Sequence, residues 1–266
     1  MTAPSERPRH ALLPDRERSH AVLVGSSAGL RHWIFLRQAE EVASQLASAL
    51  ASPGPGGAFH WRNTTLVLGP QRPADILDAV RHAAEAASDV LLFYYAGGGY
   101  QHDGEFAFGV TDTDRQHLAD TGVSPSTVAG IMSTSQATRP VVILDCYPAV
   151  VAPFTSLTPT PTVLTASTSS FQPMGDPFSE TLVAGLTRGV QEGPEVLDLV
   201  TLQNAIEAAY TQIRYDVENE YIGGPSHVVL HGSHELALGI NPAFGRPNGF
   251  GALPPNAAFV DEREAW

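Results

Sequence analysis

Two short apolar runs limit what this chain can become: Asp89 to Gly99, DVLLFYYAGGG, and Pro140 to Val150, PVVILDCYPAV. Each is rich in β-branched and aromatic residues and stops at a cluster of turn-formers. That is how a buried parallel strand reads when it ends at the carboxyl edge of a sheet, the edge where open α/β sheets build their sites. Gly97, Gly98 and Gly99 read as a turn closing the first run. The only cysteine, Cys146, ends the second. The two strands are therefore expected to bring Cys146 and the glycine turn to a common edge. A cysteine peptidase needs a histidine on that turn, and the sequence has none there.

The surrounding elements fit the same plan. His20 to Gly25 reads as a first strand, ending in Gly25-Ser26-Ser27-Ala28-Gly29. That glycine turn matches neither GxGxxG nor GxxxxGK[ST], so it gives no phosphate cradle. Trp33, Leu36, Val42, Leu46 and Leu50 recur at helical spacing, which predicts a crossover helix over Trp33 to Leu50. Thr64 to Leu68 is a second strand and Ala74 to Ala87 a second helix, giving β-α-β-α-β with right-handed crossovers. His102-Asp103-Gly104-Glu105 is a tight-turn signal ahead of alternating Phe106, Phe108 and Val110, hence a small β-hairpin at the sheet edge. Ser124-Pro125 opens a helix to Gln136. A long proline-rich loop spans 147 to 161. Thr162 to Ala166 is a strand, Phe178 to Val190 and Thr201 to Tyr215 are helices, and His227 to Leu230 is the last strand. Residues 1–18 read as a mobile arm, 19–240 as the folded domain, and 241–266 as a Pro/Gly-rich tail.

Composition narrows the function classes. The 266 residues carry a formal charge of −13, and all fifteen basic residues are arginine. Phosphate binding is driven by Lys and Arg neutralising phosphates, so a nucleic-acid or anionic-membrane surface is not expected. Protein or peptide partners are. One cysteine permits no internal disulfide, the amino end lacks an apolar signal core, and no run of about 18 apolar residues occurs. The expectation is a soluble cytoplasmic protein without a cofactor.

With those elements in order, LLFYYAGGG followed by DGEFAF and DTD, then VVILDCY, then TVLTAS and FSETLVAGL, resembles the caspase-like family of bacterial peptidases, the group of metacaspases and orthocaspases. The likeness runs from about His20 to about Leu238 and implies a three-layer α/β sandwich, its mostly parallel central sheet of about six strands flanked by helices on both faces. Members of the family carry Gly-His-Gly after the third strand and Asp-Cys-Cys or Asp-Ser-Cys after the fourth. Aligned without gaps, the family histidine falls on Gly98 and the nucleophilic cysteine on Tyr147, with Cys146 one position early. Both halves of the dyad are then missing.

The chemistry gives that double loss its weight. A thiol with a pKa of about 8.5 is only a few per cent thiolate at neutral pH, and the histidine both activates it and protonates the leaving amine. A second register, one residue shorter, makes Cys146 the nucleophile, although Pro148-Ala149 then replaces the family's Ser-Gly. A slip of one residue turns a strand side chain to the other face. His102, four positions past Gly98, is the nearest substitute base. Asp145 corresponds by resemblance to a wall of the primary specificity pocket that receives Arg or Lys; otherwise it is a structural carboxylate bonding loop amides. His117, His227, His231 and His234 show no ligand spacing, so no metal site is expected, and no Gly-x-Ser-x-Gly surrounds Ser26, Ser27 or Ser133. The reading these residues favour is a caspase-like pseudo-peptidase that binds a protein partner as scaffold, decoy or regulator, in a stress, cell-death or defence setting implied by resemblance alone. The alternatives are an active peptidase using Cys146 and cleaving after Arg or Lys, and a module whose exposed edge strand pairs with a partner.

Overall fold

The apolar runs form strands and the 3.6-periodic segments form helices, largely where the pattern places them. A computed structural model describes residues 13–27, 38–52, 57–147, 150–167, 177–216, 227–232 and 236–246. The expected residues 1–12 of the arm, Trp33 and Leu36 of the first helix, the turn at Ala28-Gly29, His234 and residues 247–266 of the tail lie outside these. In chain order the elements are β1 (His20–Ser26), α1 (Ala39–Leu50), β2 (Thr64–Leu68), α2 (Pro73–Ala86), β3 (Val90–His102), β4 (Glu105–Phe108), α3 (Leu118–Thr121), α4 (Pro125–Met132), β5 (Arg139–Tyr147), α5 (Ala152–Thr155), β6 (Thr162–Ser167), α6 (Pro177–Arg188), β7 (Val196–Asp198), α7 (Leu199–Asp216), β8 (His227–His231) and β9 (Ala237–Ile240).

The main sheet runs β2-β1-β3-β5-β6-β8, with β4 pairing only the far end of β3. Every pairing along it is parallel except β6 with β8. Alternation along the strands divides the core in two. Leu23, Leu92, Tyr94, Val141, Ile143 and Leu164 face α1, α6 and α7. Val22, Val24, Leu91, Phe93, Val142 and Leu144 face α2 and α4. The result is a three-layer α/β sandwich.

Local signals set several boundaries. In α1 the residues Val42, Ala43, Leu46 and Leu50 are buried, and Glu40 and Glu41 occupy the first turn, where the helix dipole favours anions. Pro73 begins α2. The Asp75 carboxylate reaches back to the Gln71 and Arg72 amides at 2.8 and 2.9 Å. Ser124 caps α4 by accepting from the Ser126 amide, with Pro125 in the first turn.

Three features depart from the sequence pattern. The glycine triplet is not a turn: β3 continues through it to His102, because the strand leaves the parallel sheet only to pair with β4 from Gly99 onward. The proline-rich stretch contains α5, whose Phe154 is completely buried on the α2/α4 side. A two-stranded ribbon, β7 with β9, is too short for periodicity to announce. Both ends of the described chain are tied down. Arg16 donates to the Ser52 and Phe59 carbonyls. The buried Asn241 amide bonds Val190 through both its oxygen and its nitrogen, at 3.0 and 2.8 Å. Among the described residues no helix is long and apolar enough to cross a membrane.

Candidate functional site

The site is the carboxyl edge where β3 and β5 run side by side. Their parallel register sets Ala96 against Asp145, Gly97 against Cys146 and Gly98 against Tyr147. Neighbouring strands lie about 4.8 Å apart, so Gly98 and Tyr147 adjoin at the end of the ladder.

Gly97 makes this junction possible. Its φ is +155°, and a Cβ there would sit 2.6 Å from the Ser26 carbonyl oxygen and 2.8 Å from Tyr95 Oη. Only glycine lets the end of β1, the Tyr95 ring and the departing strand meet. Around it, Tyr95 donates to the Gly98 and Gly109 carbonyls at 3.0 Å each, and the Ser26 hydroxyl donates to Gly109 at 2.8 Å. Burial pushes the Tyr95 phenol well above its ordinary pKa, and the neighbouring Cys146 adds to the shift.

Cys146 is 8% exposed and belongs to the α2/α4 side of the core with Val142 and Leu144. Burial, reinforced by the Asp145 carboxylate, pushes its thiol far above the ordinary range. A thiol held in that state is a small hydrophobe rather than a nucleophile.

His102 is carried away from it. The histidine lies five strand positions beyond Gly97, the register partner of Cys146, or roughly 16 Å along an extended strand. It closes the hairpin opposite Glu105, next to Asp103 at φ +48° and Gly104 at φ +82°, the pair of left-handed residues that a two-residue type I′ turn requires. Its side chain is exposed, with Nε2 3.5 Å from Asp103 Oδ2.

Asp145 points the other way, to the α6 side, as alternation demands. It is half-buried and accepts a short hydrogen bond from the Ser179 hydroxyl of α6. Ser179 Oγ is also 2.7 Å from Tyr94 Oη. The carboxylate thus anchors a line of hydroxyls joining β5, α6 and β3. Sequence reasoning missed Ser179 and Tyr94; the signal available was parity, since Tyr94 and Asp145 belong to the same face once β3 and β5 are placed in register. Next door, Ser27 donates to Glu40 at 2.6 Å, joining the end of β1 to α1.

His117 pairs with Asp114 at 2.8 Å, and that bond raises the imidazole pKa. His227 and His231 begin and end β8. Among the described residues no three His, Cys, Asp or Glu side chains are grouped to hold a metal ion.

No protein-family model matches the sequence, and no curated protein matches it. Solved structures do. A crystal structure of the Drosophila initiator caspase Dronc superposes with a TM-score of 0.50, covering 85% of this chain and 84% of that one at 11% identity. The fold is caspase-like. At that identity the likeness is one of fold, and function must come from the residues at the edge.

Proposed function

We propose that this chain is a caspase-like pseudo-peptidase, a domain that has kept the sandwich of the cysteine peptidases, lost their dyad, and acts by binding a protein or peptide partner. One observation carries the reading: glycine faces tyrosine across the β3–β5 ladder at the two positions where the bacterial metacaspase-like and orthocaspase-like peptidases carry histidine and cysteine. Glycine cannot move a proton, and a phenol with a pKa near 10 is a poor amide-cleaving nucleophile. The one sulfur nearby is buried, on the α2/α4 side of the core, and held protonated. Losing base and nucleophile together removes the acyl-transfer route that a single substitution could leave partly intact.

What remains at the edge is the half-buried Asp145 carboxylate, which accepts from the Ser179 hydroxyl, itself 2.7 Å from Tyr94 Oη. That carboxylate suits the cationic side chain of a basic peptide, such as arginine, held without cleavage. A soluble setting in bacterial stress, cell-death or defence circuitry follows by analogy with the family.

The experiment is direct. The purified protein is incubated with an Arg-terminated fluorogenic peptide and, separately, with an Arg-directed thiol-reactive warhead, and turnover and adduct mass are followed. Neither product nor adduct is expected. Turnover that Cys146→Ala abolishes overturns the proposal and makes the chain an active peptidase.

A further inference from the structure

The described residues expose only four large hydrophobic side chains: Trp61 at 63%, Leu66 at 39%, Leu68 at 44% and Phe244 at 50%. Three of them fall within eight residues, on or just before β2, and β2 is the outermost strand of the sheet. Edge strands are ordinarily blunted by charges, proline or a bulge. The sequence of β2, TTLVL, contains no charge and no proline, and its register with β1 runs unbroken from Thr64 to Leu68.

The backbone phase of this edge is known. The Gly69 amide donates to the Gly25 carbonyl at 2.9 Å. In a parallel ladder alternate residues turn their polar groups toward the same neighbour, so Thr65, Val67 and Gly69 face β1. Thr64, Leu66 and Leu68 then turn their amides and carbonyls outward. The Leu66 side chain shares a face with its register partner Leu23, the α1 face.

We infer that β2 pairs antiparallel with β2 of a second copy of this chain, about a two-fold axis at Leu66, joining two sheets into one. An isologous pairing must be complementary to itself, and this edge is. Leu66 sits at the middle of the five-residue strand, and its outward amide and carbonyl suit the hydrogen-bonded pair of an antiparallel ladder, in which two facing residues exchange both bonds. Leu68 faces Thr64 of the second copy. The Thr64 amide already donates to the Trp61 carbonyl, so the Thr64 carbonyl receives the Leu68 amide. A two-fold axis keeps both copies of α1 on one side of the joined sheet, and the Leu66 and Leu68 side chains of both copies become one apolar strip there.

The ends carry complementary charge. Antiparallel pairing takes Arg62, which lies over the Trp61 ring, toward Gly69 of the second copy. The Glu40 carboxylate lies there, with Oε1 3.4 Å from where a Cβ on Gly69 would stand. Symmetry repeats the contact at the other end. A five-residue pairing falls in the small class of interfaces, below about 1,200 Å², so dissociation in the micromolar range is expected.

Sedimentation equilibrium of the full chain over a wide concentration range tests this, alongside Leu66→Lys, which sets two like charges facing each other. The wild type is expected to dimerise reversibly and the variant to dissociate at least about tenfold more readily with its circular dichroism unchanged. Should Leu66→Lys fail to fold, Leu66→Cys reads the same geometry: facing residues of a hydrogen-bonded antiparallel pair are about 5.5 Å apart at Cα, within disulfide reach. Mild oxidation should link Leu66→Cys chains far faster than Ser126→Cys, an exposed position on α4. A wild type that stays monomeric throughout, a dimer untouched by Leu66→Lys, or equal cross-linking at the two cysteines overturns the inference.

Discussion

Gly98 lies directly opposite Tyr147 in the parallel ladder between β3 and β5, one step beyond the pairing of Gly97 with Cys146. Two side chains rooted at facing positions of adjacent strands are within hydrogen-bond reach of each other. If these are the vacated positions of a dyad, refilling both should restore chemistry that refilling one cannot. Gly98→His combined with Tyr147→Cys is expected to release fluorophore from an Arg-terminated peptide above background, while each single variant stays silent. Steady-state fluorescence assays of the three variants check this. Activity in the Gly98→His variant alone, lost on adding Cys146→Ala, would instead put the nucleophile at Cys146.

The native thiol should be inert for the same geometric reason. Cys146 is buried among apolar side chains and its ionisation is opposed by burial and by the Asp145 carboxylate. Each unit by which a thiol pKa rises removes about tenfold of its thiolate. Reaction with a disulfide reagent at pH 8 is expected to be at least about a hundredfold slower in the native protein than in denaturant. Stopped-flow absorbance with and without guanidinium measures the ratio. A native rate equal to the unfolded one would show the sulfur to be accessible.

Two glycines on β3 and its hairpin should respond differently to the same substitution. At Gly97 a Cβ collides with the Ser26 carbonyl and Tyr95 Oη, whereas at Gly104 nothing lies within 4 Å. Gly104→Ala therefore meets only the left-handed backbone penalty, about 1–2 kcal/mol. Gly97→Ala adds overpacking against backbone, about 1–3 kcal/mol more. Urea unfolding of both variants should rank them in that order.

These glycines also mark the limit of what the sequence discloses. Periodicity locates β1, β5, β6, α2, α6 and α7 within a few residues, because each buries one face or both against a large core; β2 is legible from its β-branched run although none of its side chains is fully buried. The glycine triplet reads as a turn since glycine is the commonest turn residue. In the fold it is needed for close approach between β1 and Tyr95, a demand set by another strand and invisible locally. The hairpin turn at Asp103-Gly104 is legible because its two positive-φ residues are a local requirement. The bond from Ser179 to Asp145 spans 34 positions, and no local pattern announces it. The placing of Cys146 among the α2/α4 side chains needs the strand register, and only then does alternation separate it from Asp145.

The Ser179 hydroxyl links Asp145 to Tyr94 inside this frame. Hydrogen bonds to a charged group contribute about 1.5–3 kcal/mol, so Ser179→Ala is expected to lower unfolding stability by that amount. Ser126→Ala, at an exposed position, should change it by less than about 0.5 kcal/mol. Chemical denaturation at pH 7 compares them. If Asp145 receives a cationic side chain as proposed, Asp145→Asn should also weaken an Arg-terminated peptide aldehyde in calorimetric titration, at little cost in stability relative to Ser179→Ala.

At the opposite edge of the sheet, Asp89 and Arg139 dictate the acid response. Burial would raise the Asp89 pKa, but the Arg139 guanidinium, the Asp15 amide and the Ser19 hydroxyl together hold it below the usual carboxylate value. Arg139 reaches Asp89 through two nitrogens, at 2.9 and 2.7 Å, and also donates to the Leu13 carbonyl at 3.1 Å. A carboxyl whose folded pKa is depressed contributes stability that is present above its unfolded pKa of about 3.9 and lost as pH falls through the folded value. Asp75 and Asp114 are depressed as well, but both lie at the surface, Asp75 partly and Asp114 largely exposed, and such interactions contribute little there. Wild-type stability should therefore fall on acidification below about pH 4, with Asp89→Asn flattening that limb. Arg139→Met should cost about 3 kcal/mol at pH 7, because it strands a largely buried carboxylate. With its guanidinium gone and burial opposed only by the Asp15 amide and the Ser19 hydroxyl, that carboxylate takes up a proton more readily, and the deficit of Arg139→Met should shrink as pH drops. Urea midpoints measured from pH 7 to pH 3 separate the cases. A deficit independent of pH would mean that Arg139 stabilises this edge through its stem and the Leu13 carbonyl rather than through Asp89.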